Sequence, residues 1–182
     1  MWVSILVILY RTFIPFTIFR WPLGGAILSM LADASDVMLF QQFGYGYFDY
    51  FGPNGYHFFD KFFDTYYLFF EFLVALKWTN ALARRTAAGL FILRFSGAVL
   101  FELTKIRWLF VFAPNIFENF YLFYTIAKKW TRFETTSAKK LTIVLLVVGI
   151  PKIIQEYLMH FVYVDRTWNF LRNTFFWWLY GS

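Results

Sequence analysis

Residues 22–43, with the sequence PLGGAILSMLADASDVMLFQQF, decide the fold class of this chain. The segment is apolar over most of its length, and about 20 apolar residues in a helix are enough to cross the hydrocarbon core of a bilayer. Two carboxylates interrupt it, Asp33 and Asp36, whose i, i+3 spacing places them on one face of a helix. We therefore expect a membrane-spanning helix with an acidic face that needs a partner.

The composition of the whole chain supports a membrane environment. Of its 182 residues, 60% are hydrophobic and 26% are aromatic, and the mean hydropathy is +0.53. A water-soluble core of this size cannot bury 27 phenylalanines without leaving large apolar patches exposed. We expect the lipid bilayer to be the main partner of this surface, with other membrane subunits or a second copy of the chain as further candidates.

The cysteine and histidine counts exclude several kinds of site. The chain has no cysteine, which rules out disulfides, thiolate nucleophiles, iron–sulfur clusters and thiolate zinc sites. Only two histidines are present, His57 and His160, so neither a haem nor a zinc site is expected, and His57 is interpreted as interfacial. A bound metal has to be held mainly by oxygen ligands, which favours Mg²⁺ or Mn²⁺.

Six apolar stretches approach the length of a membrane span, which predicts an all-α, polytopic integral membrane helical bundle forming a single domain, 1–182. The predicted spans are 2–19, 22–43, 57–76, 80–103, 106–127 and 141–164. Because the first contains Arg11 and Pro15, it can instead lie partly in the interface, so we expect five or six transmembrane helices. An amphipathic helix over 166–180 is predicted to lie in the interface.

Basic residues are unevenly distributed between the connections, and this predicts the orientation. The connections after the first, third and fifth spans contain nine of them: Arg20, Lys77, Arg84, Arg85, Lys128, Lys129, Arg132, Lys139 and Lys140. The other side contains Lys105, Arg107, Arg166 and Arg172. The positive-inside tendency makes loops 77–85 and 128–140 cytoplasmic and loop 44–56 extracytoplasmic. Because the net charge of +6 resides mostly in these connections, nucleic acid is not an expected partner.

A second pair of aspartates, Asp60 and Asp64, lies in the next predicted span with i, i+4 spacing. Consecutive antiparallel helices bring both pairs to a similar depth, so that the four carboxylates can converge. A central aspartate facing lipid costs about 2.5–3.5 kcal/mol, and four of them need neutralisation. Three solutions remain open: a divalent cation held by Asp33, Asp36, Asp60 and Asp64, protonation, or ion pairs with Arg94, Lys61 or Arg11.

Other polar residues lie inside apolar segments. Arg94 is near the centre of the fourth span, where it serves as a counter-charge to the aspartates or binds a phosphate group of a substrate. Pro114 breaks the fifth span and is followed by Asn115 and Glu118 on one face, which indicates either polar packing at a kink or a contribution to the site. The sixth span carries an i, i+4, i+8 ladder that we interpret as structural: Lys152, Glu156 and His160.

The two aspartate pairs, in consecutive spans of a small basic membrane protein, resemble the CDP-alcohol phosphatidyltransferase superfamily. The motif of that family runs Asp-x2-Asp-Gly-x2-Ala-Arg, then Gly-x3-Asp-x3-Asp, and the resemblance covers about residues 33–64. It implies that Asp33, Asp36, Asp60 and Asp64 hold metal ions and that Asp64 is the catalytic base that deprotonates an acceptor alcohol.

The chain departs from this motif at several points. Val37 replaces the first glycine, Tyr56 replaces the second, and the Ala-Arg pair is absent. The family keeps its site on the cytoplasmic side, whereas the basic residues predict loop 44–56 to be extracytoplasmic.

Three functions therefore remain open at the level of sequence. We favour an integral membrane protein whose intramembrane four-carboxylate cluster binds a divalent cation or protons. The alternatives are a phosphotransferase-like enzyme acting on lipid headgroups, and a non-catalytic helical subunit of a larger membrane complex.

Overall fold

The structure, a computed structural model, describes residues 2–44, 55–131 and 137–162. Within these residues the chain is helical and contains no strand, which confirms the predicted all-α class. The elements are α1 (Trp2–Phe13), a 3₁₀ turn (Ile14–Phe16), α2 (Thr17–Arg20), α3 (Pro22–Phe43), α4 (Gly55–Ala75), α5 (Ala81–Thr104), α6 (Leu109–Phe112), α7 (Ile116–Trp130), α8 (Ala138–Tyr157) and a π-helical turn (Leu158–Val162).

Among the described residues, three helical segments are long and apolar enough to cross a membrane. They are Trp2–Arg20, Pro22–Phe40 and Ala81–Thr104, with mean hydropathies of 1.8, 1.5 and 1.5. The first segment combines α1, the 3₁₀ turn and α2, because Pro15 lacks the N–H that an unbroken α-helix needs and lies at the start of the 3₁₀ turn. These three segments coincide with the first, second and fourth spans expected from the sequence.

The other expected spans are also helical, with one difference. Helix α4 covers the third span, and α8 with its π-helical turn covers most of the sixth. The fifth, 106–127, is instead divided into α6 and α7, since Pro114 cannot donate a hydrogen bond to the preceding turn. At 15 residues, α7 is about 22 Å long and shorter than the hydrocarbon core of about 30 Å.

Several predicted features fall outside the described residues. These are the interfacial helix predicted over 166–180 and the parts 45–54 and 132–136 of the two loops used to predict orientation. The side chains of His57 and His160 are likewise outside the description.

A close approach between α2 and the start of α3 brings the first two segments together. A Cβ atom built at Gly25 would overlap the backbone of Thr17 and Ile18. Glycine therefore permits a contact that any other residue would prevent. As a result α1 packs along α3, and Arg11 on α1 reaches the acidic face of α3.

Helix α7 provides the centre of the hydrophobic core. Phe117, Phe120, Tyr121 and Tyr124 are fully or almost fully buried there. The ring of Trp78, which precedes α5, lies 4.2 Å from the ring of Tyr124 between centroids. This aromatic core holds α4, α5 and α7 against one another and so fixes the depth of the polar groups between them.

The outer surface of the bundle is strongly apolar. Large hydrophobic side chains point outward from all the long helices, among them Phe13, Leu31, Phe62, Leu103 and Val147. A surface of this kind is unfavourable in water and matches the hydrocarbon of a bilayer. Together with the three apolar segments, it is consistent with a membrane protein.

Candidate functional site

A buried arginine lies at the centre of the candidate site. Arg11 belongs to the last turn of α1, and its side chain is 2% exposed. The ring of Phe63 lies beside its guanidinium, with 5.5 Å between Cζ and the ring centroid. A guanidinium stays ionised under all ordinary conditions, so burying it requires compensating negative charge close by.

Four aspartates supply that charge. The Nη2 atom of Arg11 is 2.6 Å from Oδ1 of Asp33 and 3.0 Å from Oδ1 of Asp64. Its Nη1 atom donates to Oδ2 of Asp36 and lies 3.6 Å from Oδ1 of Asp60. The two aspartate pairs of α3 and α4 therefore converge, as their spacing predicts. Of the three cations considered from the sequence, Arg11 is the one that contacts them.

Asp36 differs from the other three aspartates in its environment. Its side chain is fully buried, and it accepts hydrogen bonds from Arg11 and from the hydroxyl of Tyr56, the latter over 2.8 Å. One oxygen is thus used by α1 and the other by the start of α4. Asp36 connects three helices and faces Arg11 rather than the surface.

Asp33, Asp60 and Asp64 form a more open group, which we call the aspartate triad. Each side chain is about one-third exposed, between 29% and 32%. One carboxylate oxygen from each lies within 4.8 Å of the others. Oxygen ligands lie about 2.0–2.6 Å from Mg²⁺ or Ca²⁺, so two ligands of one ion are at most about 4–5 Å apart. The triad therefore has the ligand type and spacing for a divalent cation.

The charge of the cluster points the same way. Four carboxylates facing one guanidinium leave an excess of three negative charges when all are ionised. In a low-dielectric setting that excess has to be compensated by a cation or by bound protons. The least buried part of this excess charge is the aspartate triad, whose side chains are about one-third exposed.

Arg94 is placed elsewhere in the bundle. Its Nη1 atom donates to the carbonyl of Ala113 over 3.4 Å, and its guanidinium lies over the ring of Phe110. The break at Pro114 leaves that carbonyl without a helical partner, and Arg94 satisfies it. Lys61 is similarly occupied: its Nζ lies 3.8 Å from Oε1 of Glu102 and 3.8 Å from the centroid of the Phe101 ring.

Glu118 and Asn115 belong to a second polar cluster, deeper in the core. Asn115 caps α7 by accepting from the backbone N–H of Glu118, and its amide donates to Oε2 of Glu118 over 2.8 Å. The hydroxyl of Tyr67 on α4 donates to Oε1 of Glu118 over 2.6 Å.

On α8, the first two residues of the predicted ladder form an ion pair: Lys152 and Glu156 are 3.6 Å apart.

Glu71 is a buried acid that sequence reasoning missed. It lies fully buried on α4. A signal for it exists, because Asp60, Asp64, Tyr67 and Glu71 follow one another at i, i+4, i+7 and i+11, which places them on a single helical face. Its position inside an aromatic run conceals that pattern.

No family model, curated protein or solved structure matches this chain.

Proposed function

We propose that this chain is a polytopic membrane protein whose aspartate cluster binds a divalent cation, Mg²⁺ or Mn²⁺, and takes up protons when no cation is bound. The observation that carries the proposal is the aspartate triad, whose oxygens lie within 4.8 Å of one another at an accessible edge. Arg11 and Asp36 are buried beneath the triad, and Arg11 contacts its aspartates.

The membrane arrangement we propose has five or six spans. The three apolar segments account for part of it, and α4 and α8, at 21 and 20 residues, have the length of further spans. In α4 the acidic residues face Arg11 and the core, whereas Phe58, Phe62 and Phe69 face outward. A helix of this composition is stable in a bilayer only when its polar face is covered by neighbours, as α1 and α3 cover it here.

The orientation follows from the basic residues and can be tested directly. Because the chain has no cysteine, single cysteines introduced into loops 44–56 and 128–140 report sidedness without background labelling. We expect an impermeant maleimide to label 44–56 from the extracytoplasmic side and 128–140 from the cytoplasmic side. Labelling of 44–56 from the cytoplasmic side would reverse the proposed orientation.

Cation binding is tested with Mn²⁺ on the full chain in lipid nanodiscs. Binding removes the electron paramagnetic resonance signal of free Mn²⁺, and we expect Asp60→Asn to weaken it about tenfold or more, since a ligand oxygen is lost. Lowering the pH should also weaken it, because protons compete for the same oxygens. The control is Glu102→Gln, which removes an acid of α5 that lies outside the triad and is paired with Lys105 and Lys61. Equal Mn²⁺ binding by wild type and Asp60→Asn contradicts the proposal.

A second candidate function is transfer of the phospholipid group of a CDP-activated lipid to an acceptor alcohol. The observation that favours it is the aspartate triad, and the bundle also offers an apolar groove between α4 and α5, on the outward face of α4. Its main part has a volume of about 400 Å³ and is lined by Phe62, Thr65, Tyr66, Phe69, Phe91 and Phe95. A continuation of about 250 Å³ extends past Phe62 and Phe95 to Lys61 and Glu102. The groove has the apolar lining that an acyl chain of a lipid substrate requires.

In that reaction the oxygen of an acceptor alcohol forms a bond to phosphorus of a CDP-activated lipid. The bond from phosphorus to CMP breaks, CMP leaves with the electron pair, and the alcohol proton passes to Asp64, the base implied by the family resemblance. The test is release of CMP by the purified chain with Mn²⁺ and a panel of acceptor alcohols. Absence of CMP from every combination, in a preparation that binds Mn²⁺, would eliminate this candidate and leave the first intact.

A further inference from the structure

Glu71 lies in a setting that an ionised carboxylate does not tolerate. Its side chain has no exposed surface, and neither carboxylate oxygen has a hydrogen-bond partner among the described residues. The surrounding core is apolar and aromatic. The desolvation free energy of an ionised carboxylate without a partner in such a core is larger than any single interaction can offset. Glu71 therefore holds a proton.

Glu118 lies near Glu71, because Tyr67, one helical turn before Glu71 on the same face of α4, donates its hydroxyl hydrogen to Glu118. The environment of Glu118 is the opposite of that of Glu71. Each of its two oxygens accepts a hydrogen bond, one from Tyr67 and one from Asn115. It also lies in the first turn of α7, where the helix dipole favours negative charge. Two donors and a helix N-terminus stabilise the ionised form, so the charge of the pair belongs on Glu118 and the proton on Glu71.

Other groups around the pair set its electrostatic environment. The charge of Glu118 acts directly on Glu71. The groups that act on the two acids from the neighbouring elements are Asp64 and Tyr67 on α4, Arg94 on α5, Asn115 and Tyr121 on α7, and Lys152 on α8. Burial disfavours the ionised form of Glu118, whereas the hydrogen bond from Tyr67 and the cations Lys152 and Arg94 favour it.

The space beside Tyr67 is too narrow for a hydrated ion. A cleft lined by Arg11, Pro15, Ser29, Ala32, Phe63 and Tyr67 does not admit a water molecule. Tyr67 lines this cleft and its hydroxyl donates to Glu118. A proton held on a carboxyl oxygen needs no such space.

We propose that Glu71 and Glu118 form a buried site that binds one proton, separate from the aspartate cluster. The proton resides on Glu71, which has no hydrogen-bond donor within the described part of the chain, and the negative charge on Glu118, which has two. The pair as a whole therefore carries one proton and one negative charge, inside the bundle and away from the exposed edge of the triad.

The test is infrared spectroscopy of the full chain in nanodiscs. Wild type should show the C=O stretch of a protonated carboxyl in an apolar environment, and the band should shift in D₂O because the acid exchanges its hydrogen. Glu71→Gln should abolish this component, whereas the control Glu102→Gln, on an acid of α5 that is about one-third exposed, should retain it. Persistence of the band in Glu71→Gln, or its absence from wild type, overturns the proposal.

Two further measurements make the test independent of how one variant folds. Glutamate labelled with ¹³C at the side-chain carboxyl should shift the band in unmodified protein, and an unshifted band would assign it to an aspartate and refute the site. In Glu118→Gln the Glu71 band should change frequency, because the neighbouring negative charge is gone. An unmoved band would overturn the assignment of Glu71 and Glu118 to one site.

Mn²⁺ binding separates this inference from the proposed function. Because the two sites are distinct, Glu71→Gln should bind Mn²⁺ with the affinity of wild type. A large loss of Mn²⁺ affinity would make Glu71 part of the cation site and overturn the separate proton site. Conversely, wild type that shows the Glu71 band but binds no Mn²⁺ would leave the proton site standing and remove the cation proposal.

Discussion

The Nη2 atom of Arg11 lies 2.6 Å from Oδ1 of Asp33, joining the first and second apolar segments by a charge pair in the interior of the bundle. The same guanidinium contacts the two aspartates of α4, so that one side chain from α1 joins α1, α3 and α4. This contact determines both the stability of the site and its net charge.

Replacing Arg11 should destabilise the bundle, and a divalent cation should partly reverse the effect. Arg11→Gln leaves four carboxylates without their cation, and removing one partner of a buried ion pair costs about 3–5 kcal/mol. We expect a clear fall in the unfolding temperature and a recovery when Mn²⁺ or Ca²⁺ is added, measured by thermal unfolding in detergent. Arg107→Gln, at an exposed position, is the matched control. An Arg11→Gln variant that gains nothing from either ion would argue against the cation site.

Asp60 and Asp36 should separate cation binding from stability. Asp60 is part of the open triad, so Asp60→Asn should weaken Mn²⁺ binding while the unfolding temperature changes little. Asp36 is fully buried between Arg11 and Tyr56, so Asp36→Asn should mainly lower the unfolding temperature. Thermal unfolding and Mn²⁺ titration of both variants check this. The same pattern of losses in both variants would mean that the four aspartates act as one group.

The hydrogen bond from Tyr67 to Glu118 should contribute measurably to stability. Tyr67→Phe leaves a buried carboxylate oxygen without its 2.6 Å donor, a loss of about 1–3 kcal/mol. Tyr66→Phe is the control, because the hydroxyl of Tyr66 makes a longer contact of 3.4 Å with the carbonyl of Thr12. Denaturant unfolding should show the larger effect for Tyr67→Phe; equal effects would contradict the described geometry.

Two glycines should respond in opposite directions to the same substitution. At Gly25 a methyl group would overlap the backbone of Thr17 and Ile18, so Gly25→Ala should push α2 away from α3 and lower the unfolding temperature. At Gly89, within α5, nothing lies within 4 Å of the added carbon. Gly89→Ala should therefore stabilise the helix by up to about 1 kcal/mol. A neutral Gly25→Ala would show that the two segments do not approach as closely as described.

The agreement between sequence and structure is greatest where it depends on local rules. Long apolar runs predict the helices, Pro114 predicts the break in the fifth segment, and helical spacing predicts that each aspartate pair shares a face. These features involve residues a few positions apart, whose geometry is set by the backbone alone. For the same reason the stripe ending at Glu71 could have been found from its spacing.

The sequence by itself determined that the chain is helical, strongly apolar and in need of neutralising charge for its aspartates. The tertiary structure decided which charge that is, because Arg11, Lys61 and Arg94 are equally plausible along the chain and only packing selects among them. Packing α1 against α3 buries Arg11 among the aspartates. Arg94 instead donates a hydrogen bond to the carbonyl of Ala113, where the helix is broken. The tertiary structure also gives Asp33 and Asp36 different environments. Helical spacing places both on one face of α3, but the packing of α1 buries Asp36 and leaves Asp33 at the open edge.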